Sequence, residues 1–193
     1  MSEVWQKRAL ELAKAATQAL DEISKVSPQT TIGVSSSPAE SASKIVTALE
    51  QFQECVRYLN TRRSKGAIID INGEDDLQDV IFLMLRPWIC DLTPENPTDR
   101  VASRFVIKDF LSKELNTVIE AKFIRDKTHG RQISKELHDD IETYRTHPNC
   151  SELVFFIYDP DAFIPDVSSL RRQIEGIRNY EGKKMGVYCI VKP

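Results

Sequence analysis

The sequence predicts an α/β chain, a sheet flanked by helices and preceded by an N-terminal helical hairpin. Three observations predict it. Two heptad-like apolar stripes occupy the first third of the chain. Short apolar, β-type runs follow at 105–111, 117–124 and 153–158. Segments with helical periodicity separate or flank those runs, an order typical of α/β chains. The 193 residues, 41% hydrophobic and 28% charged, suffice for a core without disulfides and exclude a disordered or collagenous composition. No apolar run of about 18 residues is present, which excludes a bilayer-spanning helix and any membrane role through one.

The first helix is carried by Trp5, Ala9, Leu12, Ala16, Ala19, Ile23 and Val26, spaced alternately four and three, and Pro28 stops it. Residues 27–37 are polar and turn-rich, a loop or short linker. Ser37 then supplies an N-cap, Pro38 the first helical position and Glu40 a capping box. The second stripe is Ile45, Leu49, Phe52, Val56 and Leu59. Two such stripes on a short connection bury each other as an antiparallel hairpin over residues 1–65. That hairpin either packs within its own chain or associates with a second copy or a partner protein. The basic turn Arg62-Arg63-Ser64-Lys65 and Gly66 ends it.

Asn72 is placed to cap a helix from Glu74, with Leu77, Val80, Ile81, Met84 and Leu85 on its apolar face and Pro87 at its end. A loop containing Pro94 and Pro97 leads to strands at 105–111 and 117–124, joined by a polar turn at 113–116. Ile133, Leu137, Ile141 and Tyr144 mark the next helix, stopped at His147-Pro148. The run LVFFIY at 153–158 reads as a strand buried on both faces. Asp159-Pro160 turns the chain, a helix spans 166–178, and a last strand covers 186–191.

Cys55, Cys90, Cys150 and Cys189 lie far apart, with no C-x-x-C pair and no histidine pair at zinc spacing. Ordinary reduced thiols are expected, and the N-terminus lacks the basic-then-apolar pattern of a signal peptide, so the expected location is cytoplasmic. A net charge of −3 excludes a general polycation; nucleic-acid binding would need a local basic patch.

One strand carries an unusual set of charges. Side chains alternate along a strand, so Glu120 and Lys122 share a face while Ile119, Ala121 and Phe123 turn to the core. Asp109 lies eleven residues earlier, at the equivalent point of the preceding strand. Pairing of the two strands through their turn would bring both carboxylates to one strand end, where they repel unless a cation separates them. Oxygen donors of this kind suit Mg²⁺ or Mn²⁺. The alternative is a cross-strand salt bridge in which Lys122 neutralises Asp109 and Glu120. A second E-x-K, Glu181-Gly182-Lys183, sits in a polar turn with no upstream partner.

The ordered set Glu74 with Asp76-Leu77-Gln78-Asp79, Pro94-Glu95, Asp109-Phe110-Leu111 and Val118-Ile119-Glu120-Ala121-Lys122 resembles the PD-(D/E)XK nuclease superfamily, with its restriction-endonuclease-like fold. More closely, it is similar to the DpnII/MboI-type bacterial branch. The likeness continues through Asp140-Ile141, Tyr144, His147-Pro148, Cys150, Leu153, Phe156-Ile157-Tyr158-Asp159-Pro160 and Ile190-Val191-Lys192-Pro193. It covers residues 66–193 and leaves the hairpin outside. Arg104 and Lys108 before the aspartate, and Ser112 after it, depart from the branch's usual pattern.

The resemblance implies a mixed sheet flanked by helices and a metal-dependent nuclease, with DNA the substrate, in a bacterial defence or restriction setting. It implies that Asp109, Glu120 and the Ala121 carbonyl hold Mg²⁺ or Mn²⁺ and that Lys122 positions or activates water. Glu74 would add a carboxylate, unless it is simply an acid favourable at a helix N-terminus; Gln78 is a weaker candidate. Arg125, Lys127, Arg131 and Lys135 would contact the phosphate backbone, or form a solvated charged surface. His129 could join them. The competing function is a nucleic-acid-binding or assembly subunit that keeps the fold without cutting.

Overall fold

The computed structural model describes residues 38–61, 69–97, 107–180 and 182–193. The expected first helix, the 27–37 loop, the Arg62–Lys65 turn and Arg104 lie outside them. Helices α1 (Pro38–Glu50), α2 (Phe52–Thr61) and α3 (Glu74–Leu85) precede strands β1 (Thr93–Pro97), β2 (Ile107–Ser112) and β3 (Thr117–Phe123). Helix α4 (Lys127–Arg145), β4 (Glu152–Tyr158), α5 (Val167–Ile174), β5 (Gly176–Tyr180) and β6 (Lys183–Lys192) complete the chain. One six-stranded sheet has the order β1-β2-β3-β4-β6-β5. The β3–β4 and β4–β6 pairs are parallel and the others antiparallel, so the sheet is mixed.

Both sheet faces are covered, which is why β4 is almost continuously apolar. On one face Ile45, Leu49, Phe52, Leu77, Ile81 and Leu85 pack on Ile119, Ala121, Val154, Phe156 and Ile190. On the other, Ile133, Leu137, Ile141, Tyr144, Leu170 and Ile174 pack on Val118, Leu153, Phe155, Ile157, Val187 and Cys189. Cys150 and Cys189 are buried free thiols and Cys55 and Cys90 exposed ones. Among the described residues no helix is long and apolar enough to cross a membrane.

Several expectations change. The stripe Ile45–Leu49–Phe52 is buried as its periodicity requires, but its partner is the sheet, and Ser37–Pro193 form one compact unit. The stripe also breaks at Gln51 into α1 and α2. Residues 93–97, expected as loop, form β1 at a sheet edge, where prolines that cannot donate to a ladder are tolerated. The helix expected to reach residue 178 ends at Ile174, because Gly176 adopts φ +135° and opens strand β5. Finally, the N-cap of α3 is Gly73 and not Asn72; Asp76 reaches back to accept from the Asn72 N–H at 2.9 Å.

Phe52 tests the reassigned helix. It is fully buried, with its ring 4.8 Å from that of Phe156 and 5.7 Å from that of Tyr158. Phe52→Ala is expected to destabilise the protein by about 3–5 kcal/mol, the usual range for emptying such a site. Urea unfolding checks it; a change below 1 kcal/mol on the order of surface substitutions would refute the packing.

Candidate active site

The site is built on the β2–β3 hairpin. Its turn is closed by Asn116 at φ 50°, a conformation asparagine tolerates, and Asp91 accepts from the Ser112 hydroxyl at 2.7 Å and the Glu114 N–H at 2.8 Å. Pairing runs from Ser112 opposite Thr117 to Phe110 opposite Ile119. The next step of that register sets Asp109 against Glu120, as the spacing requires. There the Ala121 N–H donates to Asp109 Oδ2 at 2.6 Å. Because the N–H and C=O of one strand residue point the same way, the Ala121 carbonyl opens toward β2 as well.

Glu120 is 4% exposed. The Tyr144 hydroxyl of α4 donates to its Oε1, and its Oε2 lies 3.8 Å from Lys122 Nζ. Lys122 Nζ in turn lies 3.1 Å from Asp140 Oδ2, also on α4. Glu74, in the first turn of α3, accepts from the Phe123 N–H at 3.4 Å and so reaches the end of β3.

Burial pushes the Asp109 carboxyl up to about 6, against the pull of the Ala121 N–H and Lys122; the Glu74 and Asp140 charges add to the rise. Burial and then the Asp109 charge push Glu120 up to about 8. Burial works against the charge on Lys122, but the Asp140 and Glu120 carboxylates outweigh it and hold the ammonium above its usual range.

These residues fit a hard divalent cation. The donors are all oxygen: Asp109, Glu120 and the Ala121 carbonyl. Two carboxylates whose ionisation is suppressed by burial and mutual repulsion gain most from a positive ion between them. Among the described residues no group of three or more His, Cys, Asp or Glu side chains is arranged to hold a metal, so the remaining positions would fall to water. That sparse donor set matches the preference of Mg²⁺ for one or two carboxylates and retained waters.

The structure therefore brings together Glu74, Asp109, Glu120, Ala121 and Lys122. It does not bring Arg131 and Lys135 with them. At about 100° per residue, Lys127, Arg131 and Lys135 form a stripe some 140–180° around α4 from Asp140. All three are exposed, and Arg131 lines a groove against Ser169 and Gln173 of α5. Arg125 is exposed just beyond β3. His129 turns to Glu136, with Nε2 at 3.4 Å from its carboxylate. Asp126 is the α4 N-cap, accepting from Thr128 and His129 N–H groups.

Two residues that the sequence reading named without a role at the site, Asp140 and Tyr144, belong to it. Tyr144 occupies a core position of the α4 stripe, and Asp140 lies one turn before it; that i, i+4 relation was the available signal. Three further features behave as structural. Asp159 is buried and accepts from the Phe163 and Ile164 N–H groups, which is turn chemistry. His147 ends α4. Lys183, from the second E-x-K, donates to the carbonyls of Tyr144, Arg145 and His147 at 3.2, 3.1 and 2.6 Å, capping the helix that carries Asp140 and Tyr144.

One family model, REase_DpnII-MboI, describing the DpnII-MboI restriction endonucleases, matches residues 43–192. The match reaches back into α1, in keeping with the packing of that helix on the sheet. Neither a curated protein nor a solved structure shows significant similarity to the chain.

Proposed function

The chain belongs to the DpnII-MboI restriction endonuclease family, and from that premise we propose that it is a metal-dependent nuclease of the PD-(D/E)XK type. Hydrolysis of DNA phosphodiesters is its reaction, and defence or restriction in a bacterial setting its role. One observation carries the reading: Asp109 of β2 and Glu120 of β3 converge beside Lys122 on strands otherwise built for the core. A buried Glu120 beside a half-buried Asp109 would be a liability in a purely structural role.

Asp109, Glu120 and the Ala121 carbonyl hold Mg²⁺ or Mn²⁺. The bound ion supplies charge neutralisation at the phosphoryl oxygens and a lowered pKa for water. Lys122, kept charged by Asp140 and Glu120, is a donor to the developing phosphoryl charge rather than a proton acceptor. Glu74 adds negative charge beside Asp109 and tightens the hold on a cation. Arg125 and Lys127, at the end of β3 and the start of α4, meet the nucleic-acid backbone; Arg131 and Lys135 extend that contact only to a strand that wraps around α4.

The test is cleavage of supercoiled plasmid, linear duplex and single strands with Mg²⁺, Mn²⁺ or EDTA. Cutting in metal and none in EDTA is expected, with duplex preferred. A protein that binds duplex but neither cuts nor binds Mn²⁺ would instead be a non-cleaving binding subunit.

A further inference from the structure

Helix α4 touches the two catalytic side chains of β3 at separate atoms. Asp140 and Tyr144 stand one turn apart and face the sheet together. The Tyr144 hydroxyl takes Glu120 Oε1, leaving Oε2 on the side of Lys122. Asp140 Oδ2 takes the Lys122 ammonium at 3.1 Å, closer than Glu120 Oε2 at 3.8 Å. Without Asp140 the lysine would keep only the longer contact to Glu120 Oε2 and lose the partner that fixes its ammonium. Without the Tyr144 hydroxyl, Glu120 could rotate about its last torsion, which is broad in energy.

The helix itself is held firmly. Asp126 caps its N-terminus and Lys183 its C-terminus. Near its start, a Cβ on Gly130 would lie 2.5 Å from the Phe163 carbonyl oxygen, so the backbone is pressed against that segment and only glycine fits. Tyr144 is buried to 2% exposure, so its ring cannot swing away. A helix fixed at both ends and along its side is suited to orient groups on its neighbour.

We propose that α4 is the positioning element of the catalytic centre, with Tyr144 orienting Glu120 for the metal and Asp140 drawing Lys122 off Glu120 and toward the substrate phosphate. Both are positioning residues, Tyr144 acting through Glu120 and Asp140 through Lys122. The proposal rests on the nuclease reading above and adds two residues with separable duties.

The separation makes it testable on the full chain. Tyr144→Phe keeps the buried ring and removes only the hydroxyl. It is expected to weaken Mn²⁺ binding, read by calorimetry, by about 10–100-fold, the usual loss when an outer-shell partner goes. Asp140→Asn is expected to leave Mn²⁺ affinity within about threefold, lower kcat about 10–100-fold with KM for plasmid little changed, and recover partly as Asp140→Glu. In the metal-free protein, the Lys122 ammonium resonance, sharp while the ion pair holds it, is expected to broaden in Asp140→Asn. Wild-type Mn²⁺ affinity in a folded Tyr144→Phe variant would overturn the tyrosine's duty. An Asp140→Asn variant that lost thermal stability but kept kcat would overturn the aspartate's. Failure of the nuclease reading looks different: the wild type itself would neither bind Mn²⁺ nor cut, whereas the Lys122 resonance would still respond to Asp140.

Discussion

Lys122→Met is expected to lower the proposed metal-dependent cleavage by about 10²–10³-fold, the loss seen when one preorganised donor to developing charge is removed. Methionine keeps the length and apolar stem of the lysine, so the packing against α4 survives. What disappears is the positive charge between Glu120 and Asp140. Leaving a buried charge unpaired can cost about 3–5 kcal/mol. The cost here is smaller, because both carboxyls are already pushed upward by burial and can take up a proton. The variant should therefore fold and, at pH 8.5, bind Mn²⁺. Single-turnover plasmid cleavage beside Mn²⁺ calorimetry and a thermal melt would decide it. Undiminished cutting would remove Lys122 from the chemistry.

The second large effect is a pH dependence with a definite sign. Asp109 and Glu120 titrate near 6 and 8 in the fold, against ordinary values of 3.8 and 4.5. A carboxyl whose pKa is raised by folding favours the folded state while protonated. Its contribution is complete below its ordinary value and is lost as the pH rises through its raised one. The metal-free protein should thus lose thermal stability between pH 5 and pH 8.5, the span set by those two groups. Metal requires both carboxylates ionised, so Mn²⁺ affinity should climb over the same interval and binding should release protons. An Asp109→Asn, Glu120→Gln double variant should melt at a nearly constant temperature across that interval and gain nothing from Mn²⁺. A wild-type melt that is flat from pH 5 to 8.5 would contradict the burial of these groups.

The half of the site that lies on the hairpin was legible from sequence because strand alternation and a short turn leave little freedom. Given strands on either side of residues 113–116, Asp109 must meet Glu120 and Lys122 must share that face. Asp140 was illegible for the converse reason. An acid on an amphipathic helix is ordinarily solvated, and nothing in the helix period says which strand lies opposite. Tyr144 read as core, correctly, but a tyrosine's ring and hydroxyl answer different questions, and only the fold names the partner of the second. The stripe Ile45–Leu49–Phe52 shows the same limit: periodicity marks a buried face without saying what buries it. In β1, two prolines pointed to a loop because their exclusion from ladders is stronger inside a sheet than at its edge.

The cap that Lys183 places on α4 has a consequence in time. Asp109, Glu120, Lys122, Asp140 and Tyr144 all leave the ribosome within one stretch, 109–144, and their hairpin closes over a short loop. The lysine that secures the end of α4 is made about forty residues later, in the strand that also pairs with β4. A nascent chain therefore carries every group of the centre well before it can hold them still. The groups on α4 are thus held still only once β6 has been made and Lys183 has closed the end of the helix.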